Sequence, residues 1–138
     1  MPGKTEISQL TVEPWAFEPN RIAPGWKIGD VLILSGQVAV DSNMDVVGAG
    51  DFDAQAVQIL ENIQTILETN GSKLDNIIKV TIYLTDIAHL SSIVELRAKY
   101  FTPPYPASTM IEVSALAFPE LMIEIEAIAV TDAAMSGA

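Results

Sequence analysis

The segment Ile123–Val130 alternates large apolar or small residues with glutamates over its first half, in the order Ile-Glu-Ile-Glu-Ala-Ile-Ala-Val. Successive side chains of a β-strand point to opposite faces of a sheet. The pattern therefore predicts a strand that places Glu124 and Glu126 together on one face and buries its isoleucines on the other. A chain with this segment must build a sheet with one apolar face against a core.

Two hydroxyl side chains follow the proline-rich segment 103–106. Prolines end a helix and extend the chain, so residues 107–113 are predicted to form another strand that begins near Ser108 and Thr109. We expect these hydroxyls to lie opposite Glu124 and Glu126. Hydroxyls facing paired carboxylates are the arrangement in this sequence that is most typical of a chemical site.

Apolar residues at intervals of three and four predict two amphipathic helices. The first is capped by Asp51 or Asp53, ends near residue 70, and turns a polar face that includes Gln55 to solvent. The second covers about residues 87–101. Four of its residues are predicted to be buried: Leu90, Ile93, Val94 and Leu96.

Three further segments are predicted as strands. Residues 7–12 form a short edge strand, residues 31–40 form a nearly unbroken apolar run typical of a strand buried on both faces, and residues 77–85 alternate. In the last of these, four residues are expected to share the apolar face: Ile78, Val80, Ile82 and Leu84. The order of elements predicts an α+β domain, a two-layer sandwich with a mixed sheet and two helices on one face.

Composition limits the possible functions. The 138 residues form one domain, 1–138, in which residues 1–6 and 131–138 are expected to be flexible. The absence of cysteine and the presence of one histidine exclude thiolate chemistry and argue against a metal site, so no cofactor is expected. The formal net charge of −11 disfavours nucleic acid and anionic membranes as partners. No signal peptide or membrane span is recognisable, so the predicted location is the cytoplasm.

Hydrophobic residues make up 49% of the chain and charged residues only 18%. A typical soluble domain carries about 25% charged residues. The excess of apolar surface is most simply hidden between subunits, so we predict an oligomer.

Four sequence runs resemble the Rid/YjgF family, the reactive intermediate deaminases also labelled endoribonuclease L-PSP. The runs span residues 29–37, 54–63, 71–81 and 123–129, and the resemblance extends over roughly residues 28–130. It implies a chorismate-mutase-like homotrimer with clefts between subunits, in which an imine or enamine such as 2-aminoacrylate is hydrolysed to a keto acid and ammonia without metal or cofactor.

The resemblance also implies site residues, and here the chain departs from the family. Family members clamp the substrate carboxylate with an arginine after a Pro-Ala pair, where this chain has Ser108. The family asparagine of the second helix aligns with Val94, and the family tyrosine of the N-terminal loop aligns near Ile22. The glutamate of the last strand is kept as Glu124, together with the Ser35-Gly36 turn. This chain is therefore predicted to be a divergent member that lacks the carboxylate-binding arginine.

Two functions fit these residues. In the first, a small neutral or hydrophobic substrate undergoes imine or enamine hydrolysis, or a related hydrolytic or tautomerisation step. Glu124 and Ser108 are its catalytic residues, and Glu124 handles water or protons. The substrate-binding residues are predicted to be Ser35, Gly36, Thr109, Met110, Val94, Ile22 and Trp26. The alternative is a non-catalytic member that binds a ligand or a protein.

Overall fold

A computed structural model of the chain describes residues 5–13 and 17–136. These residues form a six-stranded mixed sheet in the order β1-β2-β3-β6-β4-β5. Strands β4 and β5 run parallel, and the other neighbouring pairs are antiparallel. The strands are β1 Ile7–Gln9, β2 Gly25–Ile28, β3 Val31–Leu34, β4 Ile77–Leu84, β5 Ala107–Glu112 and β6 Ile123–Val130.

Two longer helices connect the strands. Helix α1 covers Phe52–Thr69, and the side chain of Asp51 caps it by accepting a 3.1 Å hydrogen bond from the N–H of Ala54. Helix α2 covers Leu90–Tyr100 and follows a single 3₁₀ turn, Ile87–His89. Within the segment 131–138, which the sequence predicted to be flexible, Asp132–Ser136 form a short helix α3.

Helices α1 and α2 cover the same face of the sheet, as expected for a two-layer α+β domain. The apolar stripe of α1, residue Ile93 of α2 and the inward residues of β3, β4 and β6 form one buried cluster. We call the other side of the sheet the open face, because no helix of the described residues covers it. Strands β2 and β3 expose large apolar side chains there, including Trp26 and Ile33, which are 47% and 42% exposed. The fold thus leaves one sheet face to carry polar chemistry or a partner.

The structure corrects two strand predictions. Strand β3 ends at Leu34 instead of continuing to residue 40, and it is not buried on both faces, because Ile33 points to the open face. Ile78 does not share the apolar face of β4. An irregularity in the pairing of β4 with β6 between Ile77 and Lys79 turns Ile78 outward, where it is 47% exposed.

The structure also corrects three helix positions. Gln55 is fully buried, because its side chain bonds three backbone groups: it donates to the carbonyls of Gly48 and Glu120 and accepts from the N–H of Met122. Leu90 and Val94 of α2 are about half exposed, at 48% and 55%. Helix α2 lies over the edge of the sheet formed by β4 and β5. Only the side of the helix that faces the sheet, which includes Ile93, therefore reaches the core.

Candidate active site

The alternation of β6 places Glu124 and Glu126 on the open face, as predicted. Both are half-buried, and Ile123 and Ile125 beside them are buried on the helix side. Strand β4 contributes Tyr83 to the same face, in register with Glu124. The Tyr83 hydroxyl donates a 2.5 Å hydrogen bond to Glu126 Oε1. We call Glu124, Glu126, Tyr83 and the neighbouring Gly36 the carboxylate site.

The electrostatics of the carboxylate site distinguish its two glutamates. Burial raises the pKa of the Glu124 carboxyl, and the negative charge of Glu126 raises it further. The hydrogen bond to Glu126 raises the pKa of the Tyr83 phenol, and burial and the charges of both glutamates act in the same direction. Glu126 therefore accepts a hydrogen bond from Tyr83, whereas burial and the charge of Glu126 favour the protonated form of Glu124, as suits a group that transfers protons.

Gly36 lies directly against the end of the Glu124 side chain. A Cβ added at position 36 would overlap with Glu124 Oε2. The N–H groups on either side are bonded: that of Ser35 donates to the carbonyl of Pro24 at 2.9 Å, and that of Gln37 donates to the carbonyl of Ile125 at 2.8 Å. Among the described residues, the N–H of Gly36 has no such acceptor. The turn therefore presents a backbone donor beside a carboxyl of raised pKa.

Ser35, predicted to bind substrate, uses its side chain to hold this turn. Its hydroxyl donates a 2.6 Å hydrogen bond to the carbonyl of Ala23. Its own carbonyl accepts from the side-chain amide of Gln37 at 3.1 Å. Ser35 thus joins the loop before β2 to the turn that carries Gly36, and it acts on the carboxylate site through position 36.

The second group of predicted residues lies on the helix side of the sheet edge. Strand β5 pairs in parallel with β4, and Ser108 stands in register with the buried Val80. Helix α2 crosses above, and its Arg97 donates a 2.6 Å hydrogen bond from Nη2 to Ser108 Oγ. The Arg97 guanidinium therefore lies next to Ser108, the residue at which the family resemblance led us to expect an arginine.

A cavity of about 380 Å³ opens at this point, in the size range of small-molecule sites. We call it the helix-side pocket. Its walls are predominantly apolar, and Arg97, Ser108 and Tyr105 supply the polar side chains. Eight residues line it: Val80, Val94, Arg97, Ala98, Phe101, Tyr105, Pro106 and Ser108. Of the predicted substrate-binding residues, it contains Val94.

The predicted arrangement of hydroxyls facing carboxylates within one chain is wrong. Strand β4 lies between β5 and β6, so the two strands are not neighbours. The register with β4 places Ser108 and Met110 on the helix side, and Met110 packs against the core. Thr109 does share the open face with the glutamates, but its Oγ1 accepts a 2.7 Å hydrogen bond from Lys79 Nζ. The side chains of Ser108 and Glu124 therefore lie on opposite faces of the same sheet.

Ile22 and Trp26 form a third group at the far end of the sheet. Trp26 of β2 stands in register with Ile33 of β3 on the open face. Ile22 lies in the loop before β2 and is 53% exposed. Together with Gln9, Arg21 and Ala23 they line a shallow concavity. Two strands, β3 and β6, separate β2 from β4, so these residues do not reach the helix-side pocket of their own chain.

Sequence reasoning missed Arg97 and Tyr83. Arg97 has a detectable signal, since it shares one helical stripe with Val94, Ala98 and Phe101 at spacings of three and four, and all four line the helix-side pocket. Tyr83 lies on the polar face of an alternating strand. That alternation indicated its face, but only the pairing with β6 revealed that it contacts Glu126.

Residues 5–13 and 17–136 contain no group of three or more histidine, cysteine, aspartate or glutamate side chains placed to hold a metal ion. No described helix is both long enough and apolar enough to cross a membrane.

Comparison with known proteins identifies the family. Residues 19–131 match the family described as Endoribonuclease L-PSP. A RutC family protein of Pyrococcus horikoshii is 42% identical over 103 residues, which cover 75% of this chain and 81% of the relative. The 2-iminobutanoate/2-iminopropanoate deaminase of Salmonella typhimurium is 37% identical over 118 residues, which cover 81% of this chain and 91% of the relative.

Solved structures agree with this assignment. A Rid protein family member of unknown function from Yersinia pestis superposes with a TM-score of 0.82 at 31% identity, over 91% of this chain and all of the other (100%). RidA from an Antarctic Psychrobacter superposes with a TM-score of 0.80 at 28% identity, over 89% of this chain and 98% of the other. Because the family match extends over most of the chain and the folds superpose throughout, this protein is a member of the Rid/YjgF family, the family also described as endoribonuclease L-PSP.

Proposed function

We propose that this protein hydrolyses a small imine or enamine to a carbonyl compound and ammonia. The observation that carries the proposal is the position of Glu124, a carboxyl of raised pKa that lies against Gly36 on the open face. The name of the Salmonella relative, 2-iminobutanoate/2-iminopropanoate deaminase, supports the same reaction class. The reaction needs water and proton transfer, which these groups supply without a cofactor.

The proposed chemistry assigns one role to each group. Glu124 accepts a proton from a water molecule as the water oxygen attacks the imine carbon, and it returns that proton to the nitrogen. Collapse of the resulting amino alcohol forms the C=O bond and breaks the C–N bond, and the hydroxyl proton leaves with ammonia. An enamine first becomes the imine by taking a proton on carbon and losing one from nitrogen. The N–H of Gly36 stabilises negative charge that develops on oxygen.

Two chains are needed to join the two halves of this site. Within one chain, Glu124 lies on the open face and Ser108 lies in the helix-side pocket behind it. Packing the open face of one chain against the edge of another would bring Glu124 of one subunit to the helix-side pocket of the next. The exposed apolar side chains of the open face, Trp26 and Ile33 among them, support burial against another copy. We propose a homotrimer as the working assembly.

The proposed partner is a small molecule and not RNA, although the family description names an endoribonuclease. Nucleic-acid binding relies on clusters of lysine and arginine that neutralise phosphates. This chain has 7 such residues against 18 acidic ones. The carboxylate site adds negative charge where a phosphate backbone would have to approach. The same charge balance disfavours an anionic membrane surface.

The test measures ammonia released from 2-iminobutanoate that an amino-acid oxidase generates in solution, corrected for spontaneous hydrolysis. Glu124→Gln should lower the catalysed rate by roughly 100-fold or more, the usual loss when a general acid–base is removed. Glu61→Gln, on the exposed face of α1, is the matched control and should behave as the wild type. A wild-type rate equal to the spontaneous rate, or an active Glu124→Gln variant, would refute the proposal.

A further inference from the structure

We propose that Arg97 is the anion-binding residue of the helix-side pocket, and that the ligand is a carboxylate with an aromatic or branched aliphatic body. The inference deepens the proposed function, because it names the substrate class of that site. The sequence alone predicted a neutral or hydrophobic substrate, since it has Ser108 where the family resemblance implies an arginine. The structure brings a guanidinium to the same place from a different element, helix α2.

The local chain path explains why this side chain arrives there. Arg97 lies in the last turn of α2, the loop 101–106 reverses the chain, and β5 begins at Ala107. This reversal of the chain places Ser108 beneath Arg97, eleven positions earlier in the sequence. The 2.6 Å bond from Arg97 Nη2 to Ser108 Oγ holds the guanidinium at the wall of the helix-side pocket. Ser108 is thus a positioning residue for Arg97.

The hydrogen bonding of Arg97 leaves capacity for an anion. A guanidinium carries five N–H donors and no acceptor. Among the described residues, Arg97 bonds the neutral hydroxyl of Ser108 and forms no ion pair with a carboxylate, although the chain holds 18 acidic residues. Since Ser108 Oγ accepts this bond, its own hydrogen remains available to donate. A ligand carboxylate would meet charge-assisted donors from both side chains.

The rest of the pocket defines the body of the ligand. Val80, Val94, Phe101 and Pro106 supply aliphatic and aromatic walls next to the guanidinium. A volume of about 380 Å³ exceeds what a two- or three-carbon acid needs and accommodates a phenyl or branched aliphatic group. One guanidinium and one hydroxyl suit the two oxygens of a single carboxylate.

The binding experiment compares 3-phenylpropanoate with its uncharged amide, 3-phenylpropanamide, by calorimetric titration of the intact protein. Wild type should bind the acid more tightly than the amide. Arg97→Gln should weaken binding of the acid roughly ten- to hundredfold, as expected for lost charge-assisted hydrogen bonds, and leave binding of the amide unchanged. Arg97→Lys keeps the charge but not the planar fork and should fall between the two.

Lys99→Gln is the matched control, because it removes the same charge from the same helix at an exposed residue outside the pocket. It should bind the acid as wild type does. The inference is overturned if wild type shows no preference for the acid, if Arg97→Gln retains it, or if Lys99→Gln loses as much affinity as Arg97→Gln.

A kinetic experiment separates this inference from the proposed function. It compares the imino acid made from phenylalanine with the corresponding imine that lacks the carboxylate, made from 2-phenylethylamine. Arg97→Gln should raise KM for the imino acid alone. Arg97-dependent binding of the acid without turnover of either imine would refute the proposed hydrolysis and leave the anion site standing. Turnover that does not depend on Arg97 would refute the anion site and leave the hydrolysis standing.

Discussion

Replacement of Gly36 with alanine should separate catalysis from stability in the carboxylate site. The new methyl group would overlap with Oε2 of Glu124, which is the far end of a flexible side chain. The backbone at Gly36 does not have a positive φ angle, so this position does not require the left-handed conformation that glycine favours. The fold can therefore accept the methyl group if the carboxylate moves away.

The size of the effect follows from this geometry. To restore ordinary van der Waals separation, the carboxylate oxygen must move by roughly 1 Å. A displacement of that size commonly costs about 100-fold in rate when the displaced group takes part in the reaction. Stability should change by less than about 1 kcal/mol, because the lost flexibility of glycine in the unfolded chain offsets a small rearrangement.

The assay combines kcat/KM for imine hydrolysis with a denaturant titration, in a double-mutant cycle with Glu124→Gln. Gly36→Ala should lower activity roughly 100-fold in the wild-type background. It should have no further effect when Glu124 is already glutamine, because both changes act on the same group. A stable Gly36→Ala variant with wild-type activity, or fully additive losses, would refute the assignment of Glu124 and its contact with Gly36.

Three further outcomes follow from the structure. Glu124→Gln should stabilise the fold near neutral pH by less than about 1 kcal/mol, because a raised folded-state pKa means that ionised Glu124 opposes folding. The stability difference between this variant and the wild type should appear as the pH rises from the ordinary glutamate pKa of about 4.3 to the raised pKa of Glu124, and it should persist at higher pH. Below about pH 4 the two proteins should be equally stable. Equal stability at all pH values in denaturant titrations would contradict this. Gln55→Leu should cost about 2–4 kcal/mol, because it leaves three backbone groups without their partner, whereas Gln64→Leu on the exposed face of α1 should change thermal stability little. Glu126→Gln should lower the pKa of Tyr83 towards its usual value of about 10, which an ultraviolet titration against Tyr83→Phe measures; an unchanged tyrosine titration would show that Glu126 does not raise it.

Several local features were determined by the sequence alone, because they depend on neighbouring residues. The alternation of β6 assigned Glu124 and Glu126 to one face, since the direction of a side chain along a strand has a period of two. The sequence offered Asp51 or Asp53 as the cap of α1, of which the structure uses Asp51, and the apolar stripe indicated which face the helix buries. Several motifs in the right order also identified the family, which the match over residues 19–131 confirms.

The exceptions to these local patterns required partners distant in sequence. Gln55 lies at a buried position because three backbone groups far along the chain satisfy its amide. Ile78 turns outward because the ladder between β4 and β6 is irregular beside it. The burial of Gln55 and the exposure of Ile78 cannot be predicted from the pattern of residue types, since each depends on which groups the fold brings together.

Tertiary structure alone decided how the site is divided. Placing β4 between β5 and β6 fixed the register that turns Ser108 to the helix side, while Glu124 stays on the open face. The crossing of α2 over the sheet edge then brought Arg97 to Ser108. The family resemblance implies an arginine in β5, at the position where this chain has Ser108. Only the packing of a helix on a strand showed that a guanidinium still reaches that place, because such contacts depend on long-range geometry and not on local residue spacing.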